Sequence, residues 1–177
     1  MKYTLKDGDE IVIRYPQIED AAGITALMKT ADKETLFLAR EPGEFITTEE
    51  QEREIIMNVL NSNDVAWFVA EYNGEIVGQC SIGLVRGYKR YRHRAEVAFV
   101  LYEKYCNRGI GGKMMQECLI WCGKHGVSQV ELDVVTTNVR AIKMYQSFGF
   151  EIVGTIPDAL KYQNDTTANE YYMVCQL

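Results

Sequence analysis

The chain has 177 residues, 47% of them hydrophobic, and a formal net charge of −6. That length supports one well-buried core and is too short to suggest a second, so residues 1–177 read as a single domain. The acidic excess argues against general nucleic-acid or anionic-membrane binding. No run approaches the roughly 18 apolar residues of a membrane span, and the opening MKYTLKDGDE carries no apolar signal segment, which predicts a soluble, cytoplasmic protein.

In chain order, residues 11 to 15 read as a first strand and Ile18 to Ala31 as a first helix. The loop LFLAREPGEF leads to a second helix whose start carries the capping box Thr47-Thr48-Glu49-Glu50 and which runs to about Leu60. Val65–Tyr72 and Glu75–Val85 form a hairpin around Asn73-Gly74, a dipeptide suited to the positive φ angles of a tight β-turn. Arg94 to Leu101 alternates as a strand, and Gly109, Gly111 and Gly112 follow where the backbone must turn tightly. A helix then runs to His125 with Met114, Cys118 and Cys122 on one stripe, and Met115 and Leu119 beside it. Val130, Leu132 and Val134 mark another strand, a short helix ends at Gly149, and Phe150–Ile156 and Glu170–Leu177 close the sheet around the polar loop DALKYQNDTTA. The interspersed elements predict an α/β (mixed α+β) architecture: a central mixed, mostly antiparallel sheet of about seven strands flanked by about four helices. If EYYMVCQL lies at the sheet edge, its apolar character makes a homodimer plausible.

The glycine turn NRGIGG carries the first chemical signal. A turn that opens a helix leaves several N–H groups without intrahelical partners where the helix dipole is positive, which suits a phosphate or pyrophosphate. Asn138, Ala141 and Tyr145, spaced three and four apart, share one face of the later helix and can line a narrow channel, or can be ordinary packing positions. The five cysteines are odd in number and sit mostly in apolar patterns, which favours reduced, packed thiols. Cys106 borders a helix N-terminus, a place that can activate a thiol, but no histidine is placed to support it. The only histidines, His93 and His125, show no ligand spacing, so no metal is expected.

Taken together, RAEVAFVLY, NRGIGG and N-x-x-A-x-x-x-Y-x-x-x-G-F resemble the GNAT superfamily of acyl-CoA-dependent N-acetyltransferases, over nearly the whole chain and most specifically from Glu96 to Phe150. The family's Q/R-x-x-G-x-G/A loop falls on Cys106-Asn107-Arg108-Gly109-Ile110-Gly111, with Cys106 in place of the usual Gln or Arg. The resemblance implies acetyl-CoA as co-substrate. The N–H groups from Arg108 to Gly112 would hold its pyrophosphate, with Arg108 supplying positive charge. The backbone of Phe99, Val100 and Leu101 would pair with the pantetheine amides, Asn138 would contact the pantetheine arm or diphosphate side, and Tyr145 would sit near the thioester sulfur.

Acetyl transfer to an amine needs a base to make the amine neutral, donors for the oxyanion, and a proton for the departing thiolate. The resemblance points to Glu96 as base, acting directly or through water, with a strand carboxylate paired to Arg92 or Arg94 as the alternative. Unpaired N–H groups near Phe99 or Val100 would serve the oxyanion, and Tyr145 the thiolate. The resemblance implies a primary amine as acceptor: a small amine, an amino acid or a peptide or protein N-terminus. Its pocket is sought among Phe37, Arg40, Glu41, Glu44 and Phe45, the basic run Lys89–Arg94, and Tyr162 with Asp165. A non-catalytic CoA-binding sensor of the same fold is the alternative. A dinucleotide-binding reading would use Asp133, about 20 residues beyond the glycines, but wants a doubly wound sheet.

Overall fold

The structure is a computed structural model that describes all residues, 1–177. Its eight strands form one sheet: β1 (Lys2–Thr4), β2 (Glu10–Arg14), β3 (Val65–Tyr72), β4 (Glu75–Leu84), β5 (Arg94–Leu101), β6 (Gln129–Val135), β7 (Glu151–Lys161) and β8 (Thr167–Gln176). They lie in the order β1-β2-β3-β4-β5-β6-β8-β7. The helices are α1 (Ala21–Glu34), α2 (Glu49–Leu60), α3 (Ile110–Lys124) and α4 (Val139–Ser147). Every strand pairing is antiparallel except β5–β6. A parallel pair needs a crossover, and α3 supplies it. The sheet is therefore not the doubly wound parallel type, which removes the dinucleotide-fold reading.

Alternation and helical period placed most elements correctly. At the tip of the β3–β4 hairpin, Asn73 and Gly74 both take positive φ (50° and 81°), as a tight turn matched to strand twist requires. The stripe on α3 packs inward, with Met114, Met115, Cys118 and Cys122 at most 1% exposed, inside one core cluster that also takes in residues from both sides of the sheet. All five cysteines are free thiols.

Four expectations need correction. The first helix starts later, because Ile18–Asp20 is a single 3-10 turn in which the Asp20 carboxylate accepts the Gln17 N–H (2.6 Å) and pairs with Arg14 (2.6 Å). The capping box lies one residue on: Thr48 Oγ1 accepts the Gln51 N–H (3.2 Å) and Gln51 Oε1 accepts the Thr48 N–H (2.9 Å). The final hairpin is longer than expected, because most of the polar segment pairs, with Leu160 opposite Ala168 and Lys161 opposite Thr167 beyond an irregularity after Ile156. Finally, the C-terminal strand β8 is interior, between β6 and β7, so the edge argument for a homodimer does not apply to it; the edge strand at that end of the sheet is β7, and β1 forms the other edge.

Candidate active site

The site arises where the sheet comes apart. β5 pairs with β6 only at Arg94–Gln129, Ala95–Val130 and Glu96–Glu131, although both strands continue beyond these pairs. From Val97 to Leu101, β5 keeps its ladder with β4 but has no partner on the other side. A cavity of about 1340 Å³ fills the split. It runs from Glu96 along Phe99, Val100 and Leu101 to the glycine turn and the face of α4. At a strand rise of about 3.3 Å per residue, Glu96 to Leu101 spans roughly 17 Å, the scale of an extended arm laid along the strand.

At one end lies the N-terminus of α3. Gly109 caps it at φ 95°, a left-handed conformation that glycine adopts without steric cost, and no side chain caps the helix. The first helical bond runs from the Lys113 N–H to the Gly109 carbonyl, so the N–H groups of Ile110, Gly111 and Gly112 have no partner within the helix. Gly111 also admits α4: a Cβ there would lie 2.9 Å from Met144 Sδ. The Arg108 guanidinium is held by Asp7 (2.5 Å) and Asp9 and stacks over Tyr72, so its charge is already matched. Other cations line this end, namely Lys6, Lys113, Arg140 and Lys143, and none was singled out from sequence. Cys106, at the family's Gln or Arg position, is not an activated nucleophile: burial pushes its thiol up, and the nearby Arg140 only partly opposes this.

Tyr145 sits in the middle. It is 7% exposed, with its ring against Phe99 (6.0 Å between centroids) and Phe150 (5.8 Å). Burial, with Cys80 and Cys118 nearby, pushes its phenol well above the ordinary tyrosine value, and its hydroxyl has no protein hydrogen-bond partner. Ala141 lines the cavity beside it. Asn138 caps α4, its Oδ1 accepting the Ala141 N–H (3.2 Å), so part of its side chain is committed to the helix.

At the far end, Glu96, Asp133 and Glu170 line the cavity. Glu96 has no salt bridge to Arg92 or Arg94: Arg92 reaches Asp64 (3.5 Å) and Arg94 grips Glu131 (2.5 Å). Desolvation, then Asp133 and Glu131, raises the Glu96 carboxyl above its ordinary value. Burial opposes ionisation of Glu131 as well, but Arg94 and Tyr172 hold its carboxyl below the usual range. Of the residues proposed from sequence for the acceptor pocket, Phe37 lines the cavity. Arg40 is bound to Asp32 (2.8 Å), Glu41 accepts the Gln163 N–H (3.0 Å), Glu44 accepts the Glu41 N–H (2.8 Å), and Tyr162 donates to the Leu36 carbonyl (2.9 Å). Phe45 lies under the Arg40 guanidinium, Asp165 pairs with Lys161 (2.9 Å), and none of Lys89–Arg94 lines the cavity.

A split mixed sheet with a helix N-terminus at one end of the cleft and a buried tyrosine at its middle is the arrangement of an acetyl-CoA-dependent acyltransferase. The chain belongs to the acetyltransferase (GNAT) family, whose model matches residues 26–150. An L-amino acid N-acetyltransferase of Escherichia coli is 34% identical over 108 residues, 59% of this chain and 64% of that protein. A spermine/spermidine N(1)-acetyltransferase of Bacillus subtilis is 28% identical over 48% of this chain and 59% of that one. The matches therefore span less than two thirds of either relative. Among solved structures, an acetyltransferase of the GNAT family from Streptococcus pneumoniae superposes with a TM-score of 0.89 at 26% identity, covering 94% of this chain and 99% of that one. A protein from Salmonella typhimurium solved with its cofactor acetyl-CoA shares the fold (TM-score 0.82, 18% identity, 94% of each chain covered).

No group of three or more His, Cys, Asp or Glu side chains is arranged to hold a metal ion, and no helix is long and apolar enough to cross a membrane.

Proposed function

We propose that residues 1–177 form one cytoplasmic N-acetyltransferase domain that transfers the acetyl group of acetyl-CoA to a primary amine by direct attack in a ternary complex. The observation that carries this reading is the single cavity joining unpartnered helix N–H groups, an unpartnered strand edge, Tyr145 and Glu96. In it, the N–H groups from Arg108 to Gly112 hold the pyrophosphate, with cationic support from Arg140 and Lys113 in place of the committed Arg108 guanidinium. The free edge of Phe99, Val100 and Leu101 takes the pantetheine amides, with Asn138 and Ala141 on the opposite wall.

The acceptor arrives as an ammonium ion and gives one proton to Glu96, directly or through water. Its nitrogen then attacks the thioester carbonyl carbon: the C–N bond forms, and the oxygen charge is met by strand N–H groups near Phe99 or Val100. As the C–S bond breaks, the thiolate is stabilised by the Tyr145 hydroxyl. A phenol raised well above 10 keeps its proton beside a thiol of ordinary pKa about 8.5, so Tyr145 acts chiefly by hydrogen bonding. The second proton of the attacking nitrogen, strongly acidic once the bond has formed, completes the thiol through the phenol.

For self-association the surface on offer is the edge strand β7, whose Ile152, Val153 and Ile156 are exposed. The test of function is incubation of the purified protein with acetyl-CoA and a panel of amines, reading CoA release and acetylated product by mass spectrometry. The reading expects product with at least one amine. Binding of acetyl-CoA without turnover of any amine would favour a sensor.

A further inference from the structure

The acceptor end of the cavity has more negative charge than acetyl transfer alone requires. Glu96 on β5, Asp133 on β6 and Glu170 on β8 come from three strands adjacent in the sheet. The register sets them on one face: Glu96 pairs with Glu131, two residues from Asp133, and Asp133 pairs with Tyr172, two residues from Glu170. None of the three takes part in a salt bridge. The nearby arginines are already used, Arg94 by Glu131 and Arg40 by Asp32. The cations that line the cavity lie on the segment after β1, the glycine turn, and the first halves of α3 and α4, towards the other end. The same cavity holds Tyr145, more than nine-tenths buried and without a protein hydrogen bond, which marks the place of the reacting group.

One ammonium needs one carboxylate. Glu96, in the last joined pair of β5 and β6, serves the reacting nitrogen, while Asp133 and Glu170 extend the negative row across the sheet, in a cavity also lined by apolar Leu160 and Phe37. A free amino acid would bring its carboxylate against this row with no cation to receive it. Resting on the acetyltransferase reading above, we infer that the acceptor is an α,ω-diamine or polyamine, with one amine at Glu96 and the second positive charge held by Asp133 and Glu170 across an intervening methylene chain. The repulsion within the row agrees with this: desolvation, then Glu131, raises Asp133, and desolvation, then Asp133, raises Glu170, a strain that a bound dication relieves.

The test compares initial rates for an α,ω-diamine, a monoamine of equal chain length, a free L-amino acid and its amide, alongside calorimetry of acetyl-CoA. The diamine is expected to exceed the monoamine and the amino acid by about tenfold or more in kcat/KM. In Glu170→Gln and Asp133→Asn that preference collapses through KM, with acetyl-CoA affinity unchanged. Equal use of the monoamine, or preference for the free amino acid or its amide, overturns the inference and leaves the acetyltransferase reading intact. Failure of the wild-type protein to bind acetyl-CoA removes both.

Discussion

In the proposed reaction the chemistry turns on Tyr145, a buried side chain that lines the cavity with a proton to offer and no hydrogen-bond partner in the protein. Its raised pKa keeps it neutral throughout the physiological range, so its own ionisation should not shape the pH profile. Tyr145→Phe removes the hydroxyl and keeps the ring against Phe99 and Phe150; kcat is expected to fall by about a hundredfold. Acetyl-CoA affinity, read by calorimetry, should stay nearly constant, and an unchanged kcat would end its role. Glu96 must be ionised to accept a proton. Its pKa is raised, so kcat/KM should climb with pH through a point above the ordinary carboxylate range. Glu96→Gln should lower the rate and remove that limb of the profile, leaving the rise set by the acceptor amine alone. The sequence placed Tyr145 on one helical face with Asn138 and Ala141, and the family resemblance pointed to Glu96; the fold brings both to the wall of one cavity. Asp133 and Glu170 were not, since only the β6–β8 register brings them together from distant parts of the chain. The Arg108 guanidinium was expected to add positive charge at the pyrophosphate; the sequence does not reveal that Asp7 and Asp9 fold back onto it.

At the scale of elements, the start of α3 is the most sensitive joint. Gly109→Ala forces a side chain into the left-handed region at about 1–2 kcal/mol, which urea unfolding should read as lost stability. Gly111→Val should act differently. Its side chain meets Met144 across the α3–α4 junction, so acetyl-CoA affinity is expected to drop by more than the loss of stability explains. A second element-level prediction concerns α2, where Glu52 is 3% exposed and desolvation raises its carboxyl. A raised carboxyl favours the protonated fold: its contribution is fully present below the unfolded value and is lost as pH rises through the folded one. Glu52→Gln should therefore raise Tm at pH 7 to 8, with the gain vanishing below about pH 4, where an unperturbed carboxyl is itself protonated. Elements with a full run of alternation or helical period, such as β5 and α3, were read nearly to the residue. Those that depend on distant partners were not. The three-residue β1 has too short a pattern to see and is defined by pairing with β2, and β7 extends through a polar stretch because β8 is there to meet it.

For the molecule as a whole, the sheet's one parallel pair is also where it opens, and the opening joins Glu96, Tyr145 and the start of α3 in one cavity. That feature was only partly readable: glycines and spacing announced a ligand, but the length over which β5 and β6 separate is a property of the folded sheet. The edge also moved from the C-terminal strand to β7. If β7 mediates self-association, Val153→Lys should shift sedimentation equilibrium towards monomer, whereas an unchanged mass would separate that surface from any assembly. The central claim is that the split sheet is an acetyl-CoA site despite Cys106 at the position of the usual Gln or Arg. Isothermal titration of acetyl-CoA into the purified protein, with NAD as the control ligand, tests it most directly. Saturable one-to-one binding in the micromolar range, with NAD silent, is the predicted result. Silence towards acetyl-CoA, or equal binding of NAD, would contradict it.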